Sequence, residues 1–125
     1  MRLAFTLSLF LAGVAALSAH HTVANVYDPT RRVTLTGTIS ELDWKQPHVI
    51  IHLDVKAADG HFVRWDVETQ APYIMVRQGL PRDAVRPETA ISTTGCLARD
   101  GSNKVYAQTI VLPDGTSVAN GGCHS

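Results

Sequence analysis

His20 and His21 stand side by side directly after an apolar run, and their chemistry depends on where the chain is cut. A histidine at a free amino terminus offers both its amine and its imidazole to one ion. That nitrogen-rich chelate suits Cu(II) or another divalent transition metal. If the mature chain begins at His20, a third imidazole is needed to complete the set, and His48 is the candidate. If it begins at Ala19, His21 is the third residue from the amine. The amine, two deprotonated amides and that imidazole then form a square plane for Cu(II) or Ni(II). Against both stands a plainer reading, a solvated histidine pair in a flexible arm. Nothing in the residues selects copper over zinc or nickel.

His48 and His52 fall on one face of one expected strand, with Cα atoms about 13 Å apart, so they do not share an ion. His48 follows Pro47 at the strand's start and could meet the N-terminal arm, although an imidazole hydrogen-bonded to the turn is the simpler expectation. His52 reads as a surface residue, His61 as a turn residue and His124 as tail. Trp44, near the same turn, could line a ligand groove with His48, and core packing is its plainer role. Asp54, Asp66 and Glu68 are carboxylates on an outer strand face. A paired-carboxylate hydrolase needs two such groups at a controlled separation. Interleaved here with Arg64, they read as solvated ion pairs. Ser102 has no nucleophile elbow around it, and there is no phosphate loop or dinucleotide fingerprint. No catalytic constellation is visible.

The segment in front of the histidines explains why they matter. Arg2 leads an apolar run from Leu3 to Leu17, closed by Ser18-Ala19. A positive start, a short apolar stretch and a small residue at the end are the marks of a secretory signal peptide over residues 1–19. The run is too short to span a bilayer, which needs about 20 residues. Cleavage after Ser18 or Ala19 would send the protein to the periplasm or the medium. Removing residues 1–19 leaves 106 residues, enough for one small domain, and a net charge of −1 with histidines neutral. So even a balance argues against nucleic acid, which is bound mainly through Lys and Arg. No second apolar run is present, so no membrane insertion is expected after cleavage. Cys96 and Cys123 are an even pair in an exported chain, which favours a disulfide. The alternative, two soft metal ligands, lacks a CxxC spacing.

The elements that must position these residues are mostly strands. Residues 20–32 show no period and read as an extended arm with a turn at Asp28-Pro29. Val33, Leu35, Gly37 and Ile39 alternate with threonines, the pattern of a half-buried strand. The apolar parity then shifts to Leu42 and Trp44, which predicts a bulge near Ser40-Glu41. A second strand runs from His48 to about Ala57, and a third presents Val63, Trp65 and Val67 to the core. Pro72 and Gly79 bracket one short helix. A Pro-bounded loop follows, then strands around 90–98 and 105–112, and Thr116–Ala119 could fold back to bring Cys123 toward Cys96. Three strands, a helix and two strands give a mainly β fold, a small five-stranded OB-like barrel over residues 33–119 with a C-terminal tail at 120–125. A small open β-sandwich is the rival architecture.

Several of these residues together resemble a known family. His20-His21 after the leader, Tyr27-Asp28, Val33-Thr34-Leu35-Thr36-Gly37, Trp44 with Pro47-His48, and Asp100-Gly101-Ser102-Asn103 are similar to the small exported bacterial proteins grouped as domain of unknown function 6152. Glu68, Pro72, Gly79, Arg82 and Pro87 extend the likeness, which runs from His20 to about Gly115. Gln46 replaces the Asn of the family's Trp-x-Asn-Pro-His motif, Thr22 replaces a common Ser, and the cysteine-bearing tail departs from the pattern. The resemblance implies no activity.

These readings converge on an exported binding module with His20, His21 and His48 as candidate ligands of copper or another divalent transition metal. Two alternatives remain: a small metalloenzyme or accessory subunit using the same terminal chelate, and a module binding an oligosaccharide or a periplasmic protein on the barrel face.

Overall fold

The structure, a computed structural model, describes residues 22–123. His20, His21, His124 and the expected leader therefore lie outside the described residues.

The long strand β1 (Tyr27–Asp43, 17 residues) organises the fold by pairing with two neighbours. Its first part, through Thr38, runs antiparallel to β4 (Ala90–Ala98), and its last part, Thr38 to Asp43, runs antiparallel to β2 (Ile50–Lys56). Leu35 and Ile39 point into the core, while the threonines between them stay at the surface. The register shifts between Ile39 and Glu41, as the parity change predicts, and Ser40 Oγ donates to the His52 carbonyl at 3.2 Å. Because side chains alternate along a strand, this single extra residue reverses the parity. Leu42 and Trp44 then pack on the core, and Glu41 and Asp43 are carried to the outer face.

From β2 the chain turns through Ala58-Asp59-Gly60 into β3 (Phe62–Glu68), its full-length antiparallel partner. The helix α2 (Pro72–Arg77) follows, with Pro72 in its first turn and Gly79, at φ +93°, ending it. Its Met75, with Leu80 and Val85 beyond it, is fully buried in the same core as the strands. A 3-10 turn over Arg82–Val85 occupies part of the expected loop. Then come β4, β5 (Lys104–Val111) and β6 (Ser117–Ala119).

The six strands form one sheet in the order β3-β2-β1-β4-β5-β6, and β3 also pairs in parallel with β5 through Asp66–Glu68 and Lys104–Tyr106. Each of the five long strands is thus bonded to two of the other four, and β5 carries β6 as well. The expected count of five is corrected to six, because the Thr116–Ala119 segment does fold back and pairs with β5 as a strand of its own. A second sheet, as a sandwich requires, is not formed by the described residues. Such close curvature demands small residues. A Cβ on Gly37 would collide with the Asp54 carbonyl, and one on Gly95 with the Tyr106 carbonyl.

The start of the chain differs from the extended arm. Thr22–Val26 is a short helix, α1, and residues from Tyr27 onward already belong to β1. The helix is held from a distant strand end: Arg99 donates through Nε to the Ala24 carbonyl at 3.0 Å and through its backbone N to the Val26 carbonyl at 2.8 Å. No local period could signal such contacts. Asp28-Pro29 does turn the chain, but as a kink within β1, where Asp28 accepts hydrogen bonds from both the backbone N and Oγ1 of Thr30.

A second, smaller buried cluster lies apart from the main core. It joins Tyr27, Ala98 and Tyr106 to the disulfide Cys96–Cys123, with Val23 of α1 packed against it.

Candidate metal and ligand site

Two histidine–carboxylate units sit on the outer face of β1, β2 and β3. The first is built on His48, just before β2. His48 Nδ1 lies 2.6 Å from Glu68 Oε1, and the Tyr27 hydroxyl donates to Glu68 Oε2 at 2.5 Å. A carboxylate only accepts, so His48 carries a proton on Nδ1, and in the neutral ring Nε2 is the lone-pair donor. Among the described residues, Nε2 takes no hydrogen bond. Burial first, then the hydrogen bond and charge of Glu68, push the Tyr27 phenol far above its ordinary range. Tyr27 therefore stays protonated and serves only as a donor here. Tyr106 stands edge-on to His48 with ring centroids 6.2 Å apart, and burial followed by the Glu68 charge raises its phenol as well.

His48 lines a cavity of about 490 Å³. Gln46 and Pro47 of the preceding turn, Gln70, Ala71, Tyr73 and Ile74 at the start of α2, Tyr106, Gly122 and Val23 complete its walls. The turn itself contains a cis Gln46–Pro47 bond. Apart from the phenols of Tyr73 and Tyr106, the lining holds no hydroxyl or thiol that could act as a nucleophile.

The second unit is centred on His52. Its Nδ1 is 2.7 Å from Asp66 Oδ1 on β3 and its Nε2 is 3.0 Å from Asp43 Oδ2 on β1. Both ring nitrogens can donate at once only when the imidazole is protonated. Burial works against that charge, yet the hydrogen bonds to Asp43 and Asp66 prevail, and the histidine titrates above its usual value. The same bond to His52 lowers the Asp43 carboxyl. Arg64 reaches over β2 to Glu41 at 2.5 Å. Glu41, Asp43 and His52 offer donor atoms within 4.8 Å of one another. A cation there would have to displace the Asp43–His52 bond and the Glu41–Arg64 pair, whereas His48 already presents a free nitrogen.

A family model described as Family of unknown function (DUF6152) matches residues 8–107. The chain belongs to that family. The matched span takes in Tyr27, Asp43, His48, His52, Asp66 and Glu68, and it stops before β6 and Cys123. No curated protein and no solved structure matches the chain significantly.

The sequence-based site residues fare differently. His48 does occupy a cavity, bonded to Glu68 and not to the turn as expected. Trp44 packs against the main core and does not line that cavity. His52 is no simple surface residue: its side chain is only 15 % exposed and bridges two strands. Glu68 and Asp66 orient histidines instead of pairing with Arg64, because the register sets His52 directly opposite Asp66. His61 is exposed beside Asp59, as expected. Tyr27 and Gln70 had no signal in the sequence as site residues, since their partners lie 41 and 50 residues away.

Proposed function

We propose that the protein is an exported binding module, periplasmic or secreted, that holds a divalent transition metal between its matured amino terminus and His48. One observation carries this: Val23 and His48 line the same cavity, with His48 anchored through Nδ1 so that Nε2 is left for a ligand. His20 lies three residues before Val23, a reach of about 10 Å for an extended chain. The amine and imidazole of His20, or the chelate closed by His21 if Ala19 leads, would supply the remaining nitrogens. Such a set suits Cu(II) or Ni(II). Glu68, itself held by the Tyr27 hydroxyl, is the outer shell that fixes the ring's tautomer and orientation.

The pairing of β3 with β5 supports reading the five long strands as a small closed barrel of the OB type, with β6 appended to β5. That architecture carries no function by itself. One feature favours a second reading, an oligosaccharide or other polar ligand. Tyr73 is 59 % exposed beside the Gln46 and Gln70 amides, an aromatic platform with hydrogen-bonding neighbours.

Native mass spectrometry of protein purified after export tests the proposal and reads the cleavage register at once. With Cu(II), Ni(II) or Zn(II) offered, one ion per chain is expected, lost in His20→Ala/His21→Ala and weakened in His48→Ala. Unchanged uptake by these variants would overturn it.

A further inference from the structure

We infer that Gly121–Cys123 forms a strap over the His48 cavity, latched by the Cys96–Cys123 disulfide and released by reduction. Its consequence for metal exchange rests on the metal reading above; its geometry does not.

The tail is pinned firmly only as far as Asn120. That residue is fully buried, its backbone N donating to the Gln108 carbonyl at 2.8 Å and its Nδ2 to the Ala107 carbonyl at 3.0 Å. Gln70 Nε2 donates to its carbonyl at 2.5 Å. Beyond it, among the described residues, no backbone hydrogen bond holds Gly121, Gly122 or Cys123. Gly121 adopts φ +93°, and a Cβ there would strike the Gln70 side chain. Two successive glycines make a free hinge. What fixes the end of this hinge is the bond from Cys123 to Cys96 on β4.

The latch matters because of what it holds in place. Gly122 is a wall of the His48 cavity, and Tyr106, another wall, packs in one buried cluster with both cysteines. Breaking the bond removes the anchor of the first wall and uncovers the second. The main core contains neither cysteine, so the sheet persists when the latch opens. Both cysteines are fully buried, so the opening reaction, thiol–disulfide exchange with a dithiol, proceeds when local opening of the tail exposes a sulfur. The dithiol gives up two electrons and two protons and closes to its own disulfide, while the Cys96–Cys123 bond becomes two thiols. His48 is already 33 % exposed with the strap in place; once the strap is released, the ring and any ion on it meet solvent more freely still, and metal exchange accelerates.

The test compares oxidised protein, the same protein reduced, and the Cys96→Ser/Cys123→Ser variant, with far-UV circular dichroism confirming the sheet in each. Metal-free samples are treated with diethyl pyrocarbonate, and modification of His48 is followed by peptide mass spectrometry. His61, 85 % exposed and outside the cavity, is the internal reference. The His48/His61 rate ratio is expected to rise severalfold in both latch-free forms, and Cu(II) dissociation to quicken in the Cys96→Ser/Cys123→Ser variant, which has no thiol to reduce the ion. An unchanged ratio in the folded reduced protein overturns the strap, whichever way the variant folds. A raised ratio in protein that never takes up Cu(II) upholds the strap and defeats the metal reading. Cu(II) uptake with an unchanged ratio does the reverse.

Discussion

Glu68 receives His48 on one carboxylate oxygen, at 2.6 Å, across the gap between the Pro47 turn and the end of β3. The other oxygen is filled by Tyr27. The carboxylate therefore has no rotational freedom to spare, and the imidazole it holds is aimed before any ligand arrives. Outer-shell partners of this kind typically set metal affinity by about 10–100-fold. Glu68→Gln keeps the shape and an oxygen for Tyr27 but removes the charged acceptor that orients the ring. Cu(II) affinity measured by competition titration is expected to fall by about that factor. Equal affinity in the variant would remove Glu68 from the site.

His52 gives the fold a pH signature. Its folded value is raised above the ordinary 6.5, burial opposing and Asp43 and Asp66 prevailing. Its contribution to stability is thus complete below the unfolded value and is lost as pH climbs through the raised folded one. Asp43 works the other way, its lowered carboxyl contributing above the ordinary 3.8 and failing as pH falls through the folded value. Thermal midpoints followed from pH 5 to pH 9 should decline for the wild type across the His52 window, and that decline should be absent in His52→Gln. Parallel curves would contradict the clamp.

Gly37 is where β1 approaches β2 too closely for any side chain. Gly37→Ala sets a methyl group against the Asp54 carbonyl, which the ladder cannot yield without losing register. A cost of about 1–3 kcal/mol is expected, in the range of overpacked interiors. Urea denaturation reads it directly, and Thr36→Ala on the exposed side of the same strand should move the midpoint far less.

The disulfide closes a sequence separation of 27 residues. Constraint of the unfolded chain over such a loop contributes about 3–4 kcal/mol. Reduced protein should unfold at a correspondingly lower denaturant concentration, with its sheet intact beforehand. An unchanged midpoint would mean that the bond contributes nothing to the balance between folded and unfolded chains.

Much of this architecture is legible in the residues. Alternation marks β1 from Val33 onward together with β2 and β3, and turn residues delimit β4 and β5. The parity change at Leu42 locates the bulge, Pro72 and Gly79 bracket α2, and the even cysteine pair gives the bridge. The Tyr27–Arg32 start of β1, without a period, does not show. What escapes is whatever depends on one strand's register against another. His52 looks like a solvated face residue until β1 and β3 bring Asp43 and Asp66 to its two nitrogens. The bulge is legible, but not that it delivers Asp43 to that face. Likewise α1 exists because Arg99 takes its carbonyls, and the sixth strand because β3 covers β5 only as far as Tyr106 and leaves Thr109–Val111 open for pairing. His48 and Glu68 are each visible in the sequence; that one anchors the other, 20 residues away, is not.

The most direct test of the account is the Cu(II) affinity of the exported, matured protein against that of its His48→Ala variant, both with the amino terminus verified by intact mass. The account predicts a single tight site in the first, markedly weakened in the second because the imidazole that Glu68 aims is gone. Identical affinities would show that the terminus binds alone, or not at all, and that His48 and its cavity serve something other than a metal.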